Sequence, residues 1–521
     1  MSFLSKPKRE ILKRRIKSFW MDFSHNRIGF VGLIIILGFV VVGIIAPLLT
    51  PFQPTSQLFK APQLAAAYSM PDWFRIFPQY SDLNPTLSIK LDLKKAEVAN
   101  YTGPISIDMD RLNFSFAATE DAKQTASVTL DLGNFSYEYS APPTFTMHVN
   151  YRMYYNRTGV KVYFTVKNYT ANPLWDDVLL DPTNAEMLIY VYKPASGPVA
   201  NVTLTNSTSK LNIDSFVNFP RQPVMSSLYK PELLLGENGS APIDPARILF
   251  SQKGVYGIKL KIEFDNIRSG PPDRTYLGAF GDLNLQTVGL TIWGRVHGIM
   301  GTDAGRNDAW TELVYGVRIS LMVGVLAAII ATSLGILYGV TSGYLGGFAD
   351  EFLMRVVDVL LCIPVLPILL ILTRYFFANV YLVVVLIAIF GWQGLSRVIR
   401  SRVLTLKEMS FIESARASGA SDSYLMVRHL IPNVLPVAMA AMVLAVPGAI
   451  ITEAALSFLG FGDPNAPTWG RMLYGAYQLG GLPAWWVWLP PGLAITVICI
   501  GFVFIGHAID EIVNPRLRRR R

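Results

Sequence analysis

Ser410 to Pro432, SFIESARASGASDSYLMVRHLIP, is a polar stretch lying between two apolar segments, each long enough to cross a bilayer. Its charges, its hydroxyls and Gly419 interrupt both runs, so the chain leaves the apolar phase here and re-enters it at Pro432. A soluble chain would have no reason to pair such long apolar runs with so polar a gap. The stretch therefore makes the second half of the chain a set of membrane spans with a loop between them.

Composition agrees with that reading. Of 521 residues, 51% are hydrophobic and 16% are charged, where a soluble chain carries about a quarter charged residues. The net charge of +9 is concentrated in Lys6 to Arg27, Arg397 to Arg428 and Arg516 to Arg521. Each cluster abuts an apolar run, as the positive-inside bias predicts for cytoplasmic segments, and none has the interleaved aromatics of a nucleic-acid site. Nucleic acid is thus excluded as a partner. Cys362 and Cys499 sit in different apolar runs with no neighbouring ligand, which supports neither a disulfide framework nor a metal site.

The apolar run Ile28 to Leu49 follows a basic segment, residues 1–27, and is bounded by Pro47 and Pro51 with no small-residue cleavage site. It reads as an uncleaved first span running from inside to outside. Five more spans are expected near Val317–Gly339, Phe352–Leu372, Val380–Leu395, Pro432–Ser457 and Trp486–Ile509, with Trp469, Trp485, Trp486 and Trp488 as interface anchors. Counting six spans from a cytoplasmic start puts residues 340–351, the loop 396–431 and the tail 510–521 inside. The basic clusters fall where that count needs them.

Between the first and second spans, residues 52–296 change character to Thr, Ser, Asn, Asp, Pro and Tyr with period-two alternation. In Phe145, Met147, Val149, Tyr151, Met153 and in Ile258, Leu260, Ile262, Phe264 every second residue is apolar, which puts one face in a core and the other in water. Many short strands with turn residues between them predict an antiparallel, sandwich-like all-β insertion. Asn-X-Ser/Thr sequons at Asn100, Asn113, Asn134, Asn156, Asn168, Asn201, Asn206 and Asn238 all fall in this segment, and they favour an extracellular, glycosylated domain.

No phosphate-binding Gly-rich Lys-Ser/Thr loop occurs, nor any Ser, Cys and His arrangement that would license hydrolysis. The chain is not expected to be an enzyme or to bind a cofactor of its own. Glu453, near the outer end of the fifth span, either lines a translocation route or is hydrated at the interface. Asp358 and Arg355, three residues apart near the inner end of the third span, are expected to form a structural pair on one helix or a subunit contact.

From Glu413 the loop runs Glu-Ser-Ala, three residues, Gly419, nine residues and then His-Leu-Ile-Pro432. This resembles the Glu-Ala-Ala loop of bacterial and archaeal ABC importer permeases. The resemblance implies a short cytoplasmic coupling helix that docks on an ATPase subunit, with Glu413, Ala415, Ala417, Gly419 and Pro432 as its coupling residues. Small Ala415 and Ala417 suit close approach, Gly419 suits a helix stop, and Pro432 suits a helix start. Ser414 departs from the first Ala of the pattern, and His429 and Ile431 depart from its Ile and Leu.

Gly301-Thr302-Asp303, Tyr315 to Gly324 (YGVRISLMVG), Glu453 to Gly460 (EAALSFLG), Thr468-Trp-Gly470 and the region Asn26 to Pro51 look like the C-type permease of dipeptide and oligopeptide transporters. Only the insertion, roughly residues 55 to 295, falls outside the resemblance. Where the family has Gly-Arg before Asp308, this chain has Arg306 and Asn307. The resemblance implies a helical polytopic membrane protein of the type I ABC importer permease fold, with the permease core over 297–509. Its implied partners are a B-type permease subunit in a heterodimer, two cytoplasmic ATPase subunits that use ATP and Mg, an extracellular solute-binding protein and membrane lipid. The implied solute is a di- or oligopeptide, with oligosaccharides or metal chelates as alternatives. A membrane-anchored extracellular receptor or adhesion protein is the competing class, but it would need neither six spans nor the polar loop.

Overall fold

The computed structural model describes residues 20–54, 64–118, 125–156, 158–168, 184–191, 205–214, 250, 253–266, 280–376 and 379–513. Most of the basic N-terminal segment, the Arg-rich tail from residue 514, and Asn201 and Asn238 lie outside them. The chain divides into two compact units, one ending at Gln63 and resuming at Met300, the other running from Leu64 to Ile299.

The first unit is helical. Four helices are long and apolar enough to cross a membrane, or up to six if each of two bent pairs is one span. Helix α1 (Arg27–Leu49) starts at Asn26, whose side chain accepts from the Gly29 amide at 3.0 Å. Helix α2 (Ala309–Leu345) starts at Asp308, whose carboxylate accepts from the Thr311 amide at 2.8 Å, and ends at Gly346 with φ +65°. It is 37 residues long, well beyond the expected span 317–339, because its caps lie outside the apolar window that hydropathy detects.

The span expected over 352–372 is two helices, α3 (Gly347–Cys362) and α4 (Val365–Tyr375), bent by 81°. Pro364, which has no N–H to give, sits at the break. The span expected over 380–395 is likewise α5 (Val380–Ile389) and α6 (Gln393–Leu406), bent by 41°. Thus the loop expected over 396–431 opens inside a helix. After α7 (Ser410–Ala417) and α8 (Asp422–Leu425), a π turn (Met426–Leu430) feeds α9 (Ile431–Phe458), and then come α10 (Trp469–Gln478) and α11 (Trp485–Val513).

Small residues set the close helix contacts, as they must where lipid removes the hydrophobic drive between helices. Gly335, Gly339 and Gly343 form a stripe at four-residue spacing on α2, and α6 lies against it. A Cβ on Gly339 would stand 2.5 Å from the Ser396 carbonyl oxygen, and one on Gly343 would stand 3.0 Å from that of Arg400. On α1, a Cβ on Gly32 would stand 2.6 Å from the Gly501 oxygen of α11. Larger side chains at these positions would push the backbones apart.

The second unit holds two antiparallel sheets among its described residues. One has the order β3 (Ile105–Asp108), β4 (Asn113–Ala117), β11 (Phe280–Ile292), β6 (Phe145–Asn156), β9 (Thr205–Asp214), with β1 (Leu87–Leu91) also on β11. The other has the order β2 (Glu97–Thr102), β5 (Thr125–Tyr137), β10 (Gly254–Asn266), β7 (Thr158–Asn168), β8 (Asn184–Val191). The alternating run Phe145 to Met153 lies in β6 and the run Ile258 to Phe264 in β10. Ile258, Leu260, Ile262 and Phe264 share one buried core with Phe114, Phe116, Leu283 and Leu285 of the other sheet. The Phe116 and Phe264 rings stack across it with centroids 5.8 Å apart.

Candidate functional site

Helix α7 is too short to hold itself in water, since isolated helices under about a dozen residues are marginal. Its stability comes from Ile412, which is fully buried. Ile412 belongs to one apolar cluster with Ile336, Val340 and Tyr344 of α2, Ile399 and Val403 of α6, Leu425 of α8, Leu430 of the π turn and Val434 and Ala438 of α9. Ala415 packs half-buried against the same cluster, so its small size lets the helix lie close.

The helix ends as glycine dictates. Gly419 has φ +83°, a conformation that L side chains rarely adopt. Its amide donates to the Arg416 carbonyl at 2.9 Å, and the Ala420 amide donates to the Ala415 carbonyl at 3.1 Å. That crossed pair is the Schellman arrangement, and it satisfies carbonyls that would otherwise end unbonded. Met409, Phe411, Glu413, Ser414, Arg416, Ala417, Tyr424 and Val427 are left exposed.

Polar ties fix the flanks. The Tyr344 hydroxyl donates to the Asp422 carboxylate at 2.5 Å, and the Arg416 guanidinium lies over the Tyr344 ring at 5.8 Å. The Arg400 guanidinium donates both Nε and Nη2 to Asp350, each at 2.6 Å, and the Ser342 hydroxyl donates to the same carboxylate. This forked pair joins the last turn of α2 and the first turn of α3 to the middle of α6 with fixed geometry. The result is a rigid end of the bundle from which a small, partly apolar surface projects.

Pro432 is the second residue of α9, in the first turn, where a missing N–H is tolerated. Through the π turn α9 continues the helical stretch that α8 opens at Asp422 with Ser421 as cap, and that stretch reaches Phe458. The π turn precedes the proline, and the Ile431 amide donates to the Met426 carbonyl across five residues. Widening the turn accommodates a residue with no N–H. Asp358 pairs with Arg397 of α6 and Arg355 with Glu351, rather than Asp358 with Arg355.

Glu453 lies on the same helix but 21 residues beyond Pro432, about 30 Å away along its axis. It is buried, and its Oε1 accepts from the Ser457 hydroxyl at 2.6 Å. Here the remaining sequence motifs converge. Trp469 is fully buried, not an interface anchor, and its indole N–H donates to the Leu313 carbonyl at 3.0 Å. Trp486 is buried as well, while Trp485 is exposed. Gly316 makes room for the Trp469 ring, to which a Cβ would approach within 2.7 Å. Arg471 faces Glu312 at 3.7 Å with both side chains buried, and it donates to the Pro464 carbonyl at 2.8 Å.

In the loop before α2, the Asp303 carboxylate accepts from the Asn307 amide at 2.8 Å and from its side chain at 3.1 Å. Burial holds the Asp303 carboxyl above its usual range, against those bonds and the positive field of Arg471. Arg306, at the place where the family pattern has glycine, adopts φ +64°. A left-handed non-glycine residue costs about 1–2 kcal/mol, less the entropy that glycine loses on folding. Arg306→Gly is therefore expected to raise thermal stability by a few degrees in a detergent melt; an unchanged or lower midpoint would contradict the strain.

None of the Tyr344–Asp422, Asp350–Arg400 or Glu312–Arg471 ties was visible in the spacing of the sequence, since each partner lies 50 or more residues from the other. The sequons Asn100 and Asn134 are exposed and Asn113 is half-buried; Asn156, Asn168 and Asn206 lie on strands.

A family model described as binding-protein-dependent transport system inner membrane component matches residues 312–519. Another, described as the N-terminal TM domain of oligopeptide transport permease C, matches residues 15–67. The oligopeptide transport system permease protein OppC of Haemophilus influenzae is 35% identical over 241 residues, which is 46% of this chain and 76% of that protein. The dipeptide transport system permease protein DppC of Bacillus subtilis is 34% identical over 226 residues, 42% of this chain and 69% of that protein. Among solved structures, an inward-facing MetNI methionine ABC transporter chain aligns with 40% of this chain and 97% of its own length, at a TM-score of 0.31 and 21% identity.

Proposed function

Because the chain belongs to the oligopeptide and dipeptide permease C family of ABC transporters, we propose that it is the C-type membrane subunit of an ATP-driven importer of di- or oligopeptides. The observation that carries the coupling role is helix α7, held by buried Ile412 and offering Phe411, Glu413, Ser414 and Ala417 outward. A helix of that size on a rigid end of a bundle fits a groove on a partner and transmits that partner's movement. Phe411 and Tyr424 supply apolar anchors, and Glu413 supplies a charge at the helix start.

In this reading α7 faces the cytoplasm, and residues 52–296 form an extracellular, glycosylated insertion. A B-type permease completes the pathway, two ATPase subunits bind ATP and Mg, and an extracellular binding protein delivers the peptide. ATP-driven closure of the ATPases draws the coupling helices together and turns the cavity outward, and hydrolysis resets it. The work is done by differential contacts in two states, so this chain needs no ATP site of its own. Glu453 is the candidate for a residue beside the route.

Co-expression with the partner subunits and gentle detergent extraction should yield a complex that hydrolyses ATP. Repeated recovery of this chain and its permease partner with no ATP-hydrolysing subunit attached would sink the importer reading.

A further inference from the structure

The sequon acceptors Asn100, Asn113 and Asn134 stand in unlike places within the Leu64–Ile299 unit. Among the described residues β2 pairs with β5 alone, so it is an edge strand, and all six of its residues are exposed. An open edge is a template on which another chain can pair, and natural edges carry a device against it. Val98 and Tyr101, 38% and 63% exposed, add apolar surface here. Strand β2, EVANYT, has neither lysine nor proline to blunt the edge. It has a register shift between Val98 and Asn100, and the residue after that shift opens the sequon Asn100-Tyr101-Thr102.

The ladder fixes the face on which this sequon lies. Asn100 pairs with Thr129 and Thr102 with Ser127, positions that alternate with the fully buried Ala126, Val128 and Leu130 of β5. Asn100 and Thr102 therefore stand on the solvent face. Strand β5 then runs on past β2. Among the described residues Asn134, Phe135 and Ser136 pair with β10 alone. Asn134 and Ser136 are exposed, whereas the Phe135 ring stacks on buried Tyr256 with centroids 5.7 Å apart. Opposite Asn134 is Gly257, so no side chain crowds it from that strand. Thr129 pairs with Lys261 and Asn134 with Gly257, a step of four residues on β10, or about 13 Å along the edge.

Asn113 is placed differently. Strand β4 lies between β3 and β11, which puts Asp108 on one side of Asn113 and Asn284 on the other. Asn113 is half-buried, and its amide nitrogen donates to the Ser115 hydroxyl of its own sequon at 3.3 Å. A transferase that must grip an extended Asn-X-Ser has no open side of the ladder to approach there.

We propose that Asn100 and Asn134 carry N-linked glycans, that Asn113 stays bare, and that the two glycans shield the open edge of β2 and β5 from pairing with another chain. The donor is a glycosyl phosphate carried on a lipid. Asn Nδ2 bonds to the anomeric carbon as the bond from that carbon to the phosphate oxygen breaks, the amide gives up one proton, and the lipid phosphate leaves. A glycan is bulky and solubilising, so two of them about 13 Å apart cover the stretch between. The assignment rests on the reading of residues 52–296 as an extracellular, glycosylated insertion.

Glycopeptide mass spectrometry on the full chain, purified from its native membranes, tests the sites. Sugar is expected on Asn100 and Asn134 and none on Asn113. Sugar on Asn113, or a bare Asn100 or Asn134 in a chain that carries sugar on other sequons, overturns the assignment and leaves the glycosylated insertion standing. No sugar on any sequon overturns both. The double variant Thr102→Ala with Ser136→Ala removes both sequons and keeps both asparagines, while Thr102→Ser keeps its sequon. Cross-linked self-association of the detergent-solubilised complex should rise several-fold in the double variant and stay at the wild-type level in Thr102→Ser. Unchanged self-association in a double variant shown to lack both glycans would overturn the shielding.

Discussion

Ile412→Asp is expected to abolish coupled uptake while leaving the membrane bundle folded. Ile412 is fully buried among Tyr344, Ile399, Val403, Leu425 and Leu430. An unpaired carboxylate there costs several kcal/mol, and the local escape is to release the eight residues of α7. A released helix has no independent stability, so the outward surface of Phe411, Glu413 and Ala417 is lost as a unit. Uptake and solute-stimulated ATP hydrolysis should both fall more than tenfold, with roughly unchanged melting of the spans. Ile412→Val, which removes one methylene at about 0.5–1.5 kcal/mol, should keep most activity. Wild-type coupling in Ile412→Asp would show that α7 does not carry it.

Arg471→Met should have the largest effect on stability. The Arg471 and Glu312 side chains are 9% and 3% exposed, and removing one partner of a buried pair typically costs about 3–5 kcal/mol because the other charge is left uncompensated. The Pro464 and Ala466 carbonyls lose their donor as well. For a unit of this size that amounts to a drop of roughly 10 °C in a detergent melt. The paired change Arg471→Met with Glu312→Leu should recover most of it, since replacing both charges removes the penalty. A double variant no more stable than the single one would contradict this account of the pair.

Hydropathy located the spans because it reports which residues enter lipid. It did not report where helices start and stop, which is decided by caps such as Asp308 and Ser421 that lie in polar sequence. The run Ser421-Asp422-Ser423 carries the cap signal of α8, so the helical stretch that continues into α9 opens there, ahead of the start that Pro432 marks. The bends at Pro364 and Gly391 were hidden inside continuous apolar sequence. Gly419 and Ala415 were legible from backbone chemistry alone. The ties that hold α7 in place were not: spacing suggested Asp358 with Arg355, whereas folding brings Asp358 to Arg397, 39 residues away. Trp469 looked like an interface anchor because Trp prefers that layer, but a glycine at 316, far off in sequence, had made room for it in the core.

Coupling as proposed makes the exposed face of α7 the contact with an ATPase subunit. A photo-crosslinking residue at Ser414, exposed on that face, tests it directly in the complex co-expressed with its partners. A single adduct with the ATPase subunit is expected, changed in yield by ATP and absent when the same residue replaces exposed Lys90. Adducts at Ser414 only with lipid or with the partner permease, in a complex that hydrolyses ATP, would contradict it.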